Sequence, residues 1–337
     1  MRIAIYGAGS MGTIIGAYLT KAGKQVDLIN RNKAHIDALK TSGTKITGTV
    51  NMQVKVNALL PEEMTGQYDL IFLLTKQLDN KNVVSSLANY LTEEGIICTA
   101  QNGLPELLIA KIIGEERTFG CAISWGAVMH ENGVCELTSQ PDRLTFSIGS
   151  LTKHRSEKLD QIKELLEVVG HVTIEDNFMG ARWSKILINS AFSGMSAVLG
   201  CTFGEAVKQK ESRKCIQRLM NETLDVANKA GIILEPVQGK NISKLIEYHN
   251  RFEEFIVFSL IPLMIRKHAK LTASMLQDLE KGKLTEVDAI NGIVCQFGKE
   301  YQLSTPYNDL IVKIIHGIES GTYIPSMENI HLFKQLE

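Results

Sequence analysis

The stretch Arg2-Ile3-Ala4-Ile5-Tyr6-Gly7-Ala8-Gly9-Ser10-Met11-Gly12 decides the fold of this 337-residue chain. A short apolar run feeds directly into G-x-G-x-x-G, and Thr13 to Ala22 continue with the apolar spacing of a helix. Strand, tight turn and helix start, in that order, predict a dinucleotide-binding βα unit. Gly7 makes the turn, Gly9 lets the backbone approach a pyrophosphate, and Gly12 lets the helix pack closely on the strand. The phosphates would rest on backbone amides at the helix start, so Ala8, Ser10 and Met11 join the three glycines as cofactor-binding residues. The competing reading is a tight βα turn that holds no ligand.

The type of dinucleotide is read about twenty positions later, at the end of the second strand, Gln25-Val26-Asp27-Leu28-Ile29-Asn30-Arg31. An acid there would hold a ribose 2′-hydroxyl. This strand ends instead in Asn30 and Arg31, which removes a carboxylate that would repel a 2′-phosphate and adds a guanidinium that could pair with one. NADPH is therefore expected over NADH. The alternative makes Asp27 the ribose acid and Arg31 a solvated charge, although Asp27 sits three residues too early.

Composition sets the class. With 44% hydrophobic and 22% charged residues and a net charge of -1, the chain can bury substantial cores and lacks the basic footprint of a nucleic-acid or anionic-membrane binder. Six cysteines, Cys98, Cys121, Cys135, Cys201, Cys215 and Cys295, form no C-x-x-C pair and sit mostly in apolar runs. They read as buried free thiols of a cytoplasmic protein without structural zinc. No signal segment is expected. The most apolar later run, Phe255 to Met264, is too short to span a bilayer and holds Pro262, so it is expected to be a core helix.

Strand patterns recur at Tyr68 to Thr75 and Gly95 to Ala100, with a helical pattern over Asn80 to Leu91 between them. This alternation predicts a parallel sheet, whose ligands bind beyond the carboxyl ends of its strands, beside Lys76 and Gln101-Asn102-Gly103. Thr118 to Met129 and Leu144 to Ile148 surround a turn at Glu131-Asn132-Gly133 and are expected to extend the sheet as antiparallel edge strands. His171 to Glu175 reads as a final strand. The pattern then becomes helical, at Phe178 to Leu199, Glu205 to Ala230, Val237 to Lys270, Thr285 to Tyr301 and Asn308 to Ile318. The expected architecture is α/β: an N-terminal Rossmann-type dinucleotide-binding domain over 1–176, then an all-helical C-terminal domain over 177–337. Neither a Gly/Ser linker nor an internal repeat interrupts the chain, which predicts firm packing and a substrate cleft.

Two segments of the helical half carry chemistry. In Arg182-Trp183-Ser184-Lys185-Ile186-Leu187-Ile188-Asn189-Ser190-Ala191-Phe192-Ser193, the residues Lys185, Asn189 and Ser193 recur at i, i+4 and i+8 and would share one helix face. They form either a catalytic stripe or a solvated surface. In the second segment Thr285 and Asp288 fit a capping box, which would place Glu286 in a first helical turn, either as a functional acid or as a favourable charge on the helix dipole. Histidine spacings give no metal motif, and no G-x-S-x-G elbow occurs.

In order and spacing the chain resembles the ketopantoate reductases (2-dehydropantoate 2-reductases) over nearly its whole length. The matching residues are Gly7 to Gly12, Lys76, Gln101-Asn102-Gly103, the helix with Trp183, Lys185 and Asn189, Ser274-Met275-Leu276-Gln277-Asp278, Thr285-Glu286-Val287-Asp288, Asn291-Gly292 and the Gly298 to Pro306 stretch. The resemblance implies NADPH-dependent reduction of ketopantoate to (R)-pantoate, a step toward pantothenate and coenzyme A. It implies Lys185 as the general acid and Glu286 as the acceptor of a hydrogen bond from the substrate hydroxyl. Lys76 and Asn102 would lie beside nicotinamide and substrate, with Asn189, Ser193 and Ser274 lining the substrate site. The helical domain would also allow a homodimer.

Two departures stand out. Members of that family commonly carry an asparagine one turn after the position of Asn189, where this chain has Ser193, and another further on, where it has Thr202-Phe203-Gly204. Three readings follow: the ketopantoate reductase, a D-2-hydroxyacid dehydrogenase acting on another branched 2-oxo acid, and a dinucleotide sensor without turnover.

Overall fold

The computed structural model describes residues 1–152, 156–237 and 239–336. The chain divides into two compact units, Met1–Phe178 and Met179–Glu337.

The first unit contains strands β1 (Arg2–Tyr6), β2 (Gln25–Ile29), β3 (Thr44–Gly48), β4 (Met52–Val54), β5 (Asn57–Leu59), β6 (Tyr68–Leu73), β7 (Leu91–Thr99), β8 (Thr118–Ile123), β9 (Ala127–Glu131), β10 (Val134–Leu137), β11 (Thr145–Ser150) and β12 (His171–Ile174). Its main sheet runs β12-β11-β8-β7-β6-β1-β2-β5, and the six strands from β5 to β8 are mutually parallel. Their order matches the 3-2-1-4-5-6 order of a doubly wound dinucleotide-binding sheet. Residues alternate between its faces: Ile3 and Ile5 of β1 join the core under α1 (Ser10–Lys21), whereas Ala4 joins Ile71 and Leu73 in the core on the other side.

The remaining helices of this unit are α2 (Lys33–Ser42), α3 (Asn80–Ala88), α4 (Pro105–Ile113) and α5 (Glu157–Glu167). Of these only α3 was expected from the helical pattern. Pro105 at the first position of α4, and Ser156 accepting from the Lys158 amide ahead of α5, are ordinary helix-start signals.

The edge of the sheet differs from expectation. Thr118 to Met129 is not one antiparallel strand: β8 runs parallel to β7, and the chain then turns so that β9 pairs with β10 in a separate sheet of order β4-β3-β10-β9. The break falls where Trp125 turns into the core, 6% exposed and edge-on to Phe146 at 5.9 Å. In the main sheet β11 pairs antiparallel with β8, and β12, parallel to β11, also runs against the other six strands.

The second unit is helical throughout its described residues apart from an isolated bridge between Val237 and Lys240; Gln238, within the long pattern expected over 237–270, lies outside the described residues. Its helices are α6 (Phe178–Ile188), which starts at the unit boundary, α7 (Gly194–Leu199), α8 (Phe203–Lys208), α9 (Lys210–Lys229), α10 (Ile242–Ile246), α11 (Arg251–Ile265), α12 (Ser274–Glu280), α13 (Ile293–Glu300) and α14 (Pro306–Glu319). The long helices expected from periodicity are therefore broken. The backbone at Gln209 is extended and separates α8 from α9, and α10 and α11 are distinct. Nor is α11 a core helix: Val257, Ile261 and Ile265 are buried, but Phe252, Phe255, Ile256 and Leu263 are exposed. All six cysteines are buried thiols, and no helix among the described residues is long and apolar enough to cross a membrane.

Candidate active site

The glycine turn is built as its spacing demands. Gly7 has φ +100°, and a Cβ there would lie 2.6 Å from the Thr75 nitrogen at the end of the neighbouring strand, so only glycine fits. A Cβ on Gly12 would meet the Gly7 carbonyl oxygen at 2.8 Å and Ile5 at 3.0 Å, which is the close approach of helix to strand. Gly9 is different. A Cβ there would meet nothing nearer than the Gly7 oxygen at 3.9 Å, so no protein neighbour requires glycine at that position. No side chain caps α1. An uncapped helix start with an open glycine at its N-cap fits the pyrophosphate of a dinucleotide.

A buried scaffold holds this turn. The amides of Gly7 and Ala8 both donate to the Ile29 carbonyl at 2.9 Å, and the Ala8 carbonyl accepts from Asn30 Nδ2 (2.9 Å) and Thr13 Oγ1 (3.2 Å). Fully buried His35 lies beneath. Its Nδ1 accepts from the Gly133 amide at 3.0 Å, which leaves Nε2 to donate to Thr13 Oγ1 at 3.3 Å, and burial lowers its pKa, favouring the neutral ring these bonds need. Sequence reasoning missed His35 because a lone histidine on an amphipathic helix carries no motif.

The residues at the second strand end take separate roles. The Asn30 side chain serves the turn itself, donating to Ala8 and accepting from the Asn32 amide, whereas Arg31 is exposed. Asp27 is buried and occupied by Arg2 Nη2 (2.8 Å), Tyr68 Oη (2.7 Å) and Asn57 Nδ2 (2.6 Å). Three partners leave it a structural acid.

Lys76 follows β6 and Asn102 follows β7, both half-buried, in two loops tied together by side chains. Gln101 donates through Nε2 to the Thr75 carbonyl (2.8 Å) and to Asn80 Oδ1 (2.7 Å), and its Oε1 accepts from Asn80 Nδ2 and Thr99 Oγ1, each at 3.0 Å. Gln77 donates to the Asn102 carbonyl. These loops and the glycine turn lie at the switch point between β1 and β6, where open α/β sheets bind ligands.

In the second unit the helix of Lys185 is not uniform. After α6 it passes through a π-helical turn, Asn189–Ser193, before α7, so its residues leave the regular i, i+4, i+8 face. Lys185 and Asn189 remain half-buried, whereas Ser193 is 8% exposed. Trp183 anchors α6, edge-on to Phe297 at 5.2 Å. Another π turn, Asp288–Gly292, follows Glu286. The expected capping box is absent: Glu286 itself precedes the helix, its carbonyl accepting from the Ala289 and Ile290 amides, and Asp288 pairs with His316 instead of Thr285.

The two π turns pack together. Buried Asn291, in the second, donates to the Ser190 carbonyl of the first (3.0 Å) and to Asn308 Oδ1 (2.9 Å). Asn308 is in turn held by Glu222, whose carboxyl accepts from Asn308 Nδ2 (2.8 Å) and from the amides of Tyr307 and Asn308. Burial pushes Glu222 up to about 7 despite those donors. Ser274 begins α12, which packs on the first π turn and α7, where the Ala273 amide donates to Ser196 Oγ. Sequence spacing gave no sign of either π turn or of Asn308 and Glu222, and Asn291 entered only through the family resemblance.

The Thr202-Phe203-Gly204 segment is a helix start. Thr202 forms a capping box with Glu205, and the Phe203 ring lies 6.2 Å from that of Phe192 in the first π turn. No group of acidic, histidine or cysteine side chains suited to a metal ion occurs among the described residues.

Comparison with known proteins gives consistent results. A 2-dehydropantoate 2-reductase of Pyrococcus horikoshii is 30% identical over 324 residues, covering 95% of this chain and 98% of that protein. Among solved structures, D-mandelate dehydrogenase with NADH and anilino(oxo)acetate superposes with a TM-score of 0.81 at 24% identity, covering 95% and 99% of the two chains. A dimeric ketopantoate reductase from Staphylococcus aureus gives 0.74 at 19%, with the same coverage. These two likenesses establish the fold. The family description "Ketopantoate reductase PanE/ApbA" matches residues 3–150 and its C-terminal counterpart residues 177–319, so both units place the chain in the PanE/ApbA ketopantoate reductase family.

Proposed function

We propose that this protein reduces the 2-oxo group of ketopantoate to (R)-pantoate with NADPH, in the supply of pantothenate. The observation that carries the proposal is that Lys185 and Glu286, which a dinucleotide fold does not itself need, each precede one of two π turns joined by Asn291. Helical irregularities of this kind are frequent at functional sites.

In this reading 1–176 is the NADP-binding domain and 177–337 the substrate and dimerisation domain. Gly7 to Gly12 hold the pyrophosphate, Arg31 meets the 2′-phosphate, and Asn30 holds the turn from beneath. The bound dinucleotide supplies a hydride for the 2-oxo carbon. Lys185 stabilises the negative charge that develops on the carbonyl oxygen, gives that oxygen a proton and recovers one from solvent. Glu286 accepts a hydrogen bond from the substrate hydroxyl. Asn189, Ser193 and Ser274 orient the substrate, while Lys76 and Asn102 line the nicotinamide side. The enzyme would be cytoplasmic and free of nucleic-acid and membrane partners, and could form a homodimer.

One observation favours a second substrate class, the hydroxyl-free branched 2-oxo acids of a D-2-hydroxyacid dehydrogenase. Phe203 offers a ring tilted against Phe192 where relatives offer an amide, and Ser193 is short and buried. A pocket lacking a hydrogen-bond partner for a hydroxyl discriminates weakly in its favour. Nicotinamide absorbance followed with NADPH and NADH, against ketopantoate and a panel of hydroxyl-free branched 2-oxo acids, separates the two. Ketopantoate turnover with NADPH supports the first reading. Faster turnover of the hydroxyl-free acids establishes the second, and binding of the dinucleotide without any turnover leaves a sensor.

A further inference from the structure

The segment carrying Glu286 is fixed from outside itself. Glu319, at the end of α14, accepts through Oε1 from both the Thr285 amide and the Thr285 hydroxyl, each at 2.8 Å. One turn earlier His316 bridges two carboxylates, with Nδ1 at 2.9 Å from Glu319 Oε2 and Nε2 at 3.0 Å from Asp288 Oδ1. Thr285 and Asp288 lie on either side of Glu286, so one turn of α14 grips the chain immediately before the acid and two residues after it. The Thr285 hydroxyl also accepts from the Val287 amide at 3.2 Å. The Glu319 side chain is only 9% exposed, and a carboxylate so far removed from water is retained at a cost unless its hydrogen bonds repay it.

This arrangement replaces a cheaper local one. Thr285 and Asp288 have the spacing to cap the helix between themselves, yet Asp288 faces His316, and the acceptor for Thr285 comes from 34 residues away. A local cap would fix the helix start alone. The long-range grip also fixes where that start stands relative to α14, and α14 carries Asn308, the partner of Asn291.

We infer that Glu319 and His316 are positioning residues, which act on the reaction only by holding the Glu286 segment in place. The inference rests on the proposed role of Glu286. A misplacement of about 1 Å in such a group can cost up to about a hundredfold in rate. Glu319→Ala is therefore expected to lower kcat/KM for ketopantoate about tenfold, with the affinity for NADPH unchanged. Glu319→Gln, whose amide oxygen can still accept from Thr285, should recover most of that loss.

The deciding experiment is a double-mutant cycle on the full chain with ketopantoate and NADPH. If Glu319 works through Glu286, adding Glu319→Ala to Glu286→Gln costs little further activity. Additive losses, or a Glu319→Ala enzyme with unchanged kcat/KM, overturn the inference. Should Glu319→Ala fail to fold, His316→Gln leaves the Thr285 acceptor in place and must show a smaller loss with the same non-additivity. If the wild-type protein does not reduce ketopantoate, the proposed function fails separately, and amide exchange decides the grip. Faster exchange at Thr285 to Asp288 in Glu319→Ala or His316→Gln upholds it, and unchanged exchange refutes it.

Discussion

Under the proposed function, the glycine turn of the first unit and the paired π turns of the second both ready a protein surface for a ligand, by opposite routes. In the first, the deciding residues are neighbours in sequence, and what matters is the absence of side chains at Gly7, Gly9 and Gly12. In the second, Lys185, Ser274 and Glu286 lie up to about a hundred residues apart; buried Asn291, Asn308 and Glu222 tie the segments of Lys185 and Glu286 together, and the Ala273 amide ties that of Ser274 to Ser196. A motif that binds through backbone can be local, whereas a site that delivers protons and orients a substrate must be assembled over long range.

The sharpest way to break this division of labour is Lys185→Ala. It should lower kcat by about 10³-fold, within the usual span of general acid catalysis, while leaving NADPH affinity intact. An equal loss of cofactor affinity, measured by fluorescence titration, would place the lysine in the binding machinery instead. Asn291→Ala comes next. It strands the Ser190 carbonyl and Asn308 Oδ1, and should destabilise the second unit by about 1–3 kcal/mol. With one tryptophan in each unit, Trp125 and Trp183, urea unfolding of a Trp125→Phe background can assign the loss.

Gly9→Ala sharpens the other side of the comparison. Because its Cβ meets no protein atom closer than 3.9 Å, stability should hold while NADPH affinity falls about tenfold or more, equivalent to about 1.4 kcal/mol. Gly7→Ala should instead destabilise the fold by about 1–3 kcal/mol, through its positive φ as well as the clash at Thr75. A Gly9→Ala protein with native NADPH affinity would remove Gly9 from the pyrophosphate site.

The smallest effect is a pH dependence. Burial alone would lower the His316 imidazole, but Glu319 and Asp288 outweigh it and hold it above its usual 6.5. Its contribution is therefore complete below pH 6.5 and lost as pH rises through the raised value. Burial would raise Glu319, yet the Thr285 donors and His316 keep it below 4.5, so its contribution is present above 4.5 and lost as pH falls through the lowered value. The difference in Tm between wild type and His316→Gln should be largest between about pH 4.5 and 6.5 and should shrink toward pH 9. A constant difference would mean that the imidazole serves without its charge.

The legibility of the sequence follows the same divide. The turn from Gly7 to Gly12, the strand ends before Lys76 and Asn102, and the switch from alternating to helical pattern are local signals, and they described β1, β2, β6 and β7 of the main sheet correctly. The small β4-β3-β10-β9 sheet was illegible because its parallel β3 and β10 come from segments about ninety residues apart. A π turn is equally silent, since one extra residue per turn leaves the apolar content of a helix unchanged while rotating all that follows. The burial expected of Phe255 to Met264 failed for another reason. Hydropathy counts how apolar a segment is and not which of its sides has a neighbour.

The buried thiols give the molecule a built-in clock. Cys98, Cys121 and Cys135 lie in the first unit, and Cys201, Cys215 and Cys295 in the second. Burial pushes Cys135 and Cys201 up to about 11 and Cys295 up to about 12, so at neutral pH these are unreactive thiols and not the thiolates an alkylating reagent needs. A pulse of such a reagent under native conditions therefore modifies only molecules that have locally opened. Peptide mapping of the adducts would time the opening of each half of the chain separately, without a single introduced label.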